Sequence, residues 1–159
     1  MVTDEQIQQV VRLVEANFEN TIYPGDDNIG VHHIEKGFMG KRWQDITLQL
    51  LLSHRDELGS LTSDAFRYYL PAFLLGILQF NKNLDSFPEN FIPLIIPPLS
   101  PLDKYSYPSD DRLFIALDSL SKEQKMAVGT CLKIIAEVYQ DDDSIPLAPA
   151  IRYWSQYVS

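Results

Sequence analysis

The stretch Leu61 to Phe80, LTSDAFRYYLPAFLLGILQF, constrains this chain more than any other. Phe66, Leu70, Phe73, Ile77 and Phe80 recur at spacings of four and three. Tyr69, Ala72 and Gly76 form an adjacent line, and Tyr68, Leu75 and Leu78 a third. A helix that is apolar nearly all round must be buried on most sides. The unbroken apolar run from Tyr68 to Leu78 falls short of the ~20 residues a bilayer span requires. It therefore reads as the central helix of a water-soluble core. Thr62 suits the N-cap and Asp64 the positive end of the helix dipole. Pro71 removes the partner of the Arg67 carbonyl, which predicts a kink or two short helices meeting there.

Helical signals flank this stretch. Thr3 and Gln6 fit a capping box ahead of the stripe Ile7, Val10, Val11, Val14 and Phe18. Trp43 to Leu58 reads as one helix, broken by Gly59-Ser60. Asp110 to Leu117 reads as a short helix. Ser121 and Gln124 make a second capping box before Val128, Cys131, Leu132, Ile135 and Tyr139. A last short helix follows Pro146 and Pro149, with Ile151, Trp154 and Val158 as its stripe. No tract alternates with period two for long enough to predict a sheet. The expected fold is all-α: a single compact domain spanning residues 1–159, of about five or six helices around a buried, proline-kinked central helix.

Two segments break the helical pattern. Residues 20–42 hold four of the seven glycines and predict a long connection that is either functional or partly structured. Residues 81–109 hold six of the ten prolines. The aliphatic content there is too high for a disordered linker. Ser86 to Glu89 can start one helical turn, and beyond it the expectation is an ordered, extended segment laid across the helices.

Charge narrows the functional classes. The 159 residues carry a net charge of −9. That disfavours nucleic acid and anionic membrane surfaces as ligands, because both require a basic face. It suits a basic protein partner reached by electrostatic steering. The weak candidate partner-binding residues are Asp26, Asp27, Asp110, Asp111, Asp141, Asp142 and Asp143. One cysteine, Cys131, allows no internal disulfide. The N-terminal MVTDEQIQQ lacks the basic and apolar regions of a secretory signal, so the expected location is cytoplasmic.

No catalytic motif emerges. Gly37 to Arg42 fails as a phosphate loop, since Arg42 stands where Ser or Thr binds magnesium. Asp26 to Gly30 fails as a calcium loop, with its glycine one place early. His32, His33 and Glu35, with distant His54, do not converge on a metal from any regular element, because adjacent side chains diverge. Cys131 falls mid-helix and reads as a small core hydrophobe, and no G-x-S-x-G occurs. No catalytic residue, metal site or cofactor is expected.

The segment Phe66 to Leu74, FRYYLPAFL, resembles an F-x-Y-Y-L-P-A motif of an uncharacterised bacterial family, a domain of unknown function. The loop Tyr23 to Ile29, the Gly40-Lys41 with Trp43, and Leu120 to Gln124 are similar to its other features, in the same order. That resemblance implies a shared fold and carries over no activity or site residue.

Two functional expectations follow. The first is a non-enzymatic, acidic interaction protein, such as an immunity protein or inhibitor of a basic partner. The second is a small-molecule or metal-binding regulator or enzyme that uses residues 20–42. In that case Asp26, Asp27, His32, His33 and Arg67 converge on a pocket.

Overall fold

A computed structural model describes residues 1–80, 83–97 and 111–158, apart from the side chain of residue 32. It is all-α. Eight α-helices among the described residues are joined by short 3-10 turns. One isolated antiparallel bridge, Gly30 to Leu61, is the sole β pairing among them.

The first helix, α1 (Asp4–Phe18), begins at a capping box in which Thr3 and Gln6 each satisfy the other's backbone N–H. Its stripe of Val10, Val11, Val14 and Phe18 is buried. Within the 20–42 connection lies α2 (His32–Phe38), which buries Ile34 and Phe38. The expected single helix from Trp43 to Leu58 is instead a 3-10 turn, Trp43–Asp45, followed by α3 (Leu48–Ser53). Thr47 decides this: its hydroxyl accepts the Leu50 N–H at 3.2 Å, and its backbone is extended. An N-cap starts a new helix there. Asp56 and Glu57 consequently lie beyond the helix end and no longer oppose its dipole.

The central stretch forms one helix, α4 (Ser63–Gln79), that continues through Pro71 rather than dividing into two. Proline in a helix interior costs about 3 kcal/mol or more. Thirteen of the 17 residues are buried, Pro71 among them. At about 1.5–3 kcal/mol for each large side chain taken from water, that burial outweighs the lost bond. The Thr62 hydroxyl caps the helix by accepting the Ala65 N–H at 3.0 Å.

The proline-rich region takes the helical turn expected from Ser86, then departs from its expected extended form up to Ile95. It folds into α5 (Phe87–Phe91) and a 3-10 turn, Ile92–Ile95. Pro88 and Pro93 each occupy the first positions of their turns, where a missing N–H costs nothing. Phe87, Phe91, Ile92 and Ile95 are buried, and the Trp154 indole N–H donates to the Ile95 carbonyl at 2.8 Å. The expected extended course of residues 98–109, like candidate Asp110, lies outside the described residues.

Three helices close the fold: α6 (Arg112–Ala116), α7 (Lys122–Val138) and α8 (Leu147–Trp154). The Ser121–Gln124 capping box opens α7. The α7 helix packs between α1 and α8, and α4 touches α1, α3, α6 and α7. The tyrosines record this packing. Burial pushes Tyr139 up to about 12, with the Asp142 and Glu89 carboxylates adding to it, and burial raises Tyr69 as well. A raised folded-state pKa gives stability that is complete below the ordinary tyrosine value and lost as pH climbs through the folded value. For Tyr139 that window runs from 10.0 to about 12. Denaturant titrations are expected to show stability falling across this window, with a late phase in tyrosinate absorbance. Titration of every tyrosine at its ordinary value in the folded protein would contradict this packing.

Candidate functional site

Residues 28–31 are fastened to the start of α4. The Thr62 N–H donates to the Ile29 carbonyl at 2.8 Å and the Thr62 hydroxyl to the Asn28 carbonyl at 2.9 Å. The Val31 N–H reaches the Ser60 carbonyl at 3.2 Å. A Cβ at Gly30 would stand 2.6 Å from that same carbonyl oxygen, so glycine permits the approach.

Tyr23 anchors the other end of the connection. Its hydroxyl donates to Asp26 Oδ1 at 2.7 Å and accepts the Gly40 N–H at 2.6 Å. Its ring meets the Tyr68 ring edge-on, with centroids 5.7 Å apart. The Tyr68 hydroxyl accepts the Trp43 N–H at 3.3 Å, and the Trp43 indole donates to the Phe18 carbonyl at 3.1 Å. The adjacent Tyr69 hydroxyl lies 2.7 Å from both the Phe38 and Lys41 carbonyls. The two tyrosines of the FRYYLPA segment thus tie the 20–42 connection to the core helix.

These ties leave a cleft of about 720 Å³. One wall is the end of α1 and the chain from Asn20 to Pro24. The second is Asp64, Arg67 and Tyr68 of α4. The third is Ser119, Leu120 and Gln124 at the entry to α7. The Gln124 side chain closes one end by donating to the Asn17 carbonyl at 3.0 Å. Ile22 is almost wholly exposed on the first wall. Across the second, Arg67 donates to Asp64 Oδ1 at 2.9 Å and to the Ser119 hydroxyl at 2.7 Å. The second Asp64 oxygen accepts the Asn28 amide at 2.8 Å.

The expected site residues occupy different places. Asp26 is bound to Tyr23 beside the cleft, and Asp27 is exposed next to it. Asp111 immediately precedes α6. Asp141, Asp142 and Asp143 are exposed just past the C-terminal end of α7. Gln124 lies in the first turn of that helix, so its 17 residues set about 25 Å between the cleft and the triple-aspartate turn. The N–H and hydroxyl of Ser144 bond to the Asp142 carboxylate and hold it below the usual carboxylate range.

His33 is exposed on α2. His54 is buried against that helix, its Nδ1 2.9 Å from Glu57 Oε2 and its ring against Phe38. Among the described residues no three His, Cys, Asp or Glu side chains gather where they can hold a metal ion. Cys131 is fully buried in α7, and desolvation raises its thiol well above the ordinary value. That suppresses the thiolate a nucleophile needs.

Of the cleft residues, the sequence had marked Arg67 and the 20–24 chain. It gave no reason to join Arg67 to Ser119 or Asn17 to Gln124, pairs 52 and 107 positions apart that helix packing brings together.

The model of a family described as "Family of unknown function (DUF6714)" matches residues 27–158. The chain belongs to this family. The matched region holds the α4 and α7 walls of the cleft, whereas α1 and Tyr23 precede it. No curated protein and no solved structure matches the chain. No helix among the described residues is long and apolar enough to cross a membrane.

Proposed function

We propose that this domain is a non-enzymatic, acidic interaction protein that binds a basic protein partner, in the manner of a bacterial immunity protein or inhibitor. The observation that carries this reading is the state of its reactive groups. The polar side chains across the cleft's second wall are engaged in internal hydrogen bonds, and the thiol is buried. Exposed carboxylates sit on surface turns, Asp26 and Asp27 beside the cleft and Asp141 to Asp143 past the C-terminal end of α7, in a chain of net charge −9. Such a distribution speeds encounter with a cationic surface and fades with salt, because the Debye length falls from about 10 Å at 0.1 M to 3 Å at 1 M. Asp26, Asp27, Asp111 and Asp141 to Asp143 supply the attraction, and the mechanism is steric occlusion of the partner. Isolation of the protein from its native host at low salt is expected to retain a basic protein that high salt releases. A monomeric, partnerless protein at low salt would overturn the proposal.

The cleft favours a second reading, a small-molecule-binding regulator that uses the 20–42 connection. Its volume of about 720 Å³ falls within the ~300–1,000 Å³ of ligand pockets. The Asn20–Pro24 chain and Arg67 both line it. Asp27 and His33 do not, which removes the metal-binding form of this reading from the cleft.

A further inference from the structure

We infer that the cleft binds a zwitterion with an α-amino-acid head group, its carboxylate on Arg67 and its ammonium on Asp64. This rests on the small-molecule reading of the cleft. Arg67 and Asp64 are the cation and the carboxylate among the residues that line it, and they stand 2.9 Å apart. Their charges cancel, so a ligand of net charge would leave one of them uncompensated in a concave site. A ligand carrying both charges side by side instead lies antiparallel to the pair and satisfies both.

Both side chains have capacity to spare. Arg67 has used two of the five N–H donors of a guanidinium. Each Asp64 oxygen accepts one hydrogen bond, whereas a carboxylate offers about four lone-pair sites. Their side chains are 35% and 51% exposed. Each is also held from behind, Arg67 by the Ser119 hydroxyl and Asp64 by the Asn28 amide. The pair is therefore oriented before a ligand arrives, which lowers the ordering cost of binding.

The rest of the wall selects further. It offers neutral amides such as Asn20 and the exposed aliphatic side chain of Ile22, and no second cation. A phosphate dianion would meet one arginine already shared with a carboxylate, in a protein of net charge −9. An amino-carboxylate with an uncharged side chain meets complementary groups throughout.

The test is calorimetric titration of the full chain with each of the common L-amino acids, then with the amide and N-acetyl derivatives of any that bind. Saturable binding is expected for at least one free amino acid, with at least about a tenfold loss when either charge is blocked. Arg67→Gln and Asp64→Asn should each weaken it similarly. Arg152→Gln, which removes an exposed charge on α8, should not. The ligand derivatives keep the test valid on the native protein if either cleft variant fails to fold. Equal binding of the blocked derivatives would overturn the zwitterion assignment and leave the cleft as a ligand site. Absence of binding by every amino acid would also overturn it. The broader small-molecule reading falls only if a chemically diverse set of neutral and charged metabolites fails as well. Binding of a basic peptide in the cleft, with no amino acid bound, would overturn it in favour of the partner-protein reading.

Discussion

Phe73→Ala is expected to destabilise the protein by about 3–5 kcal/mol, the range for truncating a buried phenylalanine. The ring is fully buried and stands at the centre of an aromatic cluster. Its centroid lies 5.4 Å from that of Phe91, 5.8 Å from Phe87, 6.0 Å from Phe66 and 6.1 Å from Phe38. These rings come from α2, α4 and α5, three elements remote in sequence. The void would be lined by several rigid rings on separate helices, so collapse of any one of them would disturb the others. A loss of this size corresponds to a Tm lower by roughly 10 °C in a domain of this length. In denaturant the midpoint should fall while the slope stays constant, since the surface exposed on unfolding is nearly the same. A loss below about 1 kcal/mol would mean that the cluster is not the keystone of the core.

Gly129→Ala should destabilise by about 1–3 kcal/mol, the usual cost of overpacking. This is opposite to the ~1 kcal/mol gain that helix propensity alone predicts for an interior glycine. A Cβ at Gly129 would stand 2.7 Å from the Trp154 carbonyl oxygen and 2.6 Å from Val158 Cγ2. The carbonyl is backbone, so relief requires α8 to move off α7. Gly76→Ala is the matched comparison within α4. There the nearest obstacle is the tip of a flexible side chain, Leu51 Cδ1 at 2.5 Å. A change of Leu51 rotamer relieves it for about 0.5–1.5 kcal/mol, so the net effect should lie within about 1 kcal/mol of zero. Equilibrium unfolding of the two variants side by side checks both signs. Equal stabilisation by both alanines would show that α7 and α8 do not approach so closely.

Local signals in the sequence carried much of the fold. The Thr3–Gln6 and Ser121–Gln124 boxes mark helix starts because each pair satisfies its own orphan N–H groups within four residues. The apolar wrap of 61–80 implied a central helix, and α4 is buried on nearly all sides. Competing local signals of similar strength misdirect the helical period at two places. Thr47 outweighed the apolar period of 43–58 and started a new helix. Pro93 opens a second helical turn where extended chain was expected, because the first positions of a turn do not use the missing donor.

The cleft was legible only in part. Arg67 and the Tyr23–Asp26 turn can be named from the chain, but their partners cannot. Asn17 and Gln124 are 107 positions apart, and Arg67 and Ser119 are 52 apart. No periodicity encodes such pairs. They depend on how α1, α4 and α7 cross, which the summed packing of many apolar side chains sets.

Sequence alone therefore determined the helical class, the central helix, two capping boxes and the acidic charge, all of which rest on local periodicity and composition. Tertiary structure decided that α4 runs through Pro71, that the Asp26–Asp27 turn lies beside the cleft and the Asp141–Asp143 turn past the C-terminal end of α7, and that Asp64 and Arg67 face the cleft. Burial and side-chain pairing across long stretches of chain produce those features, and they exist only once the helices have packed.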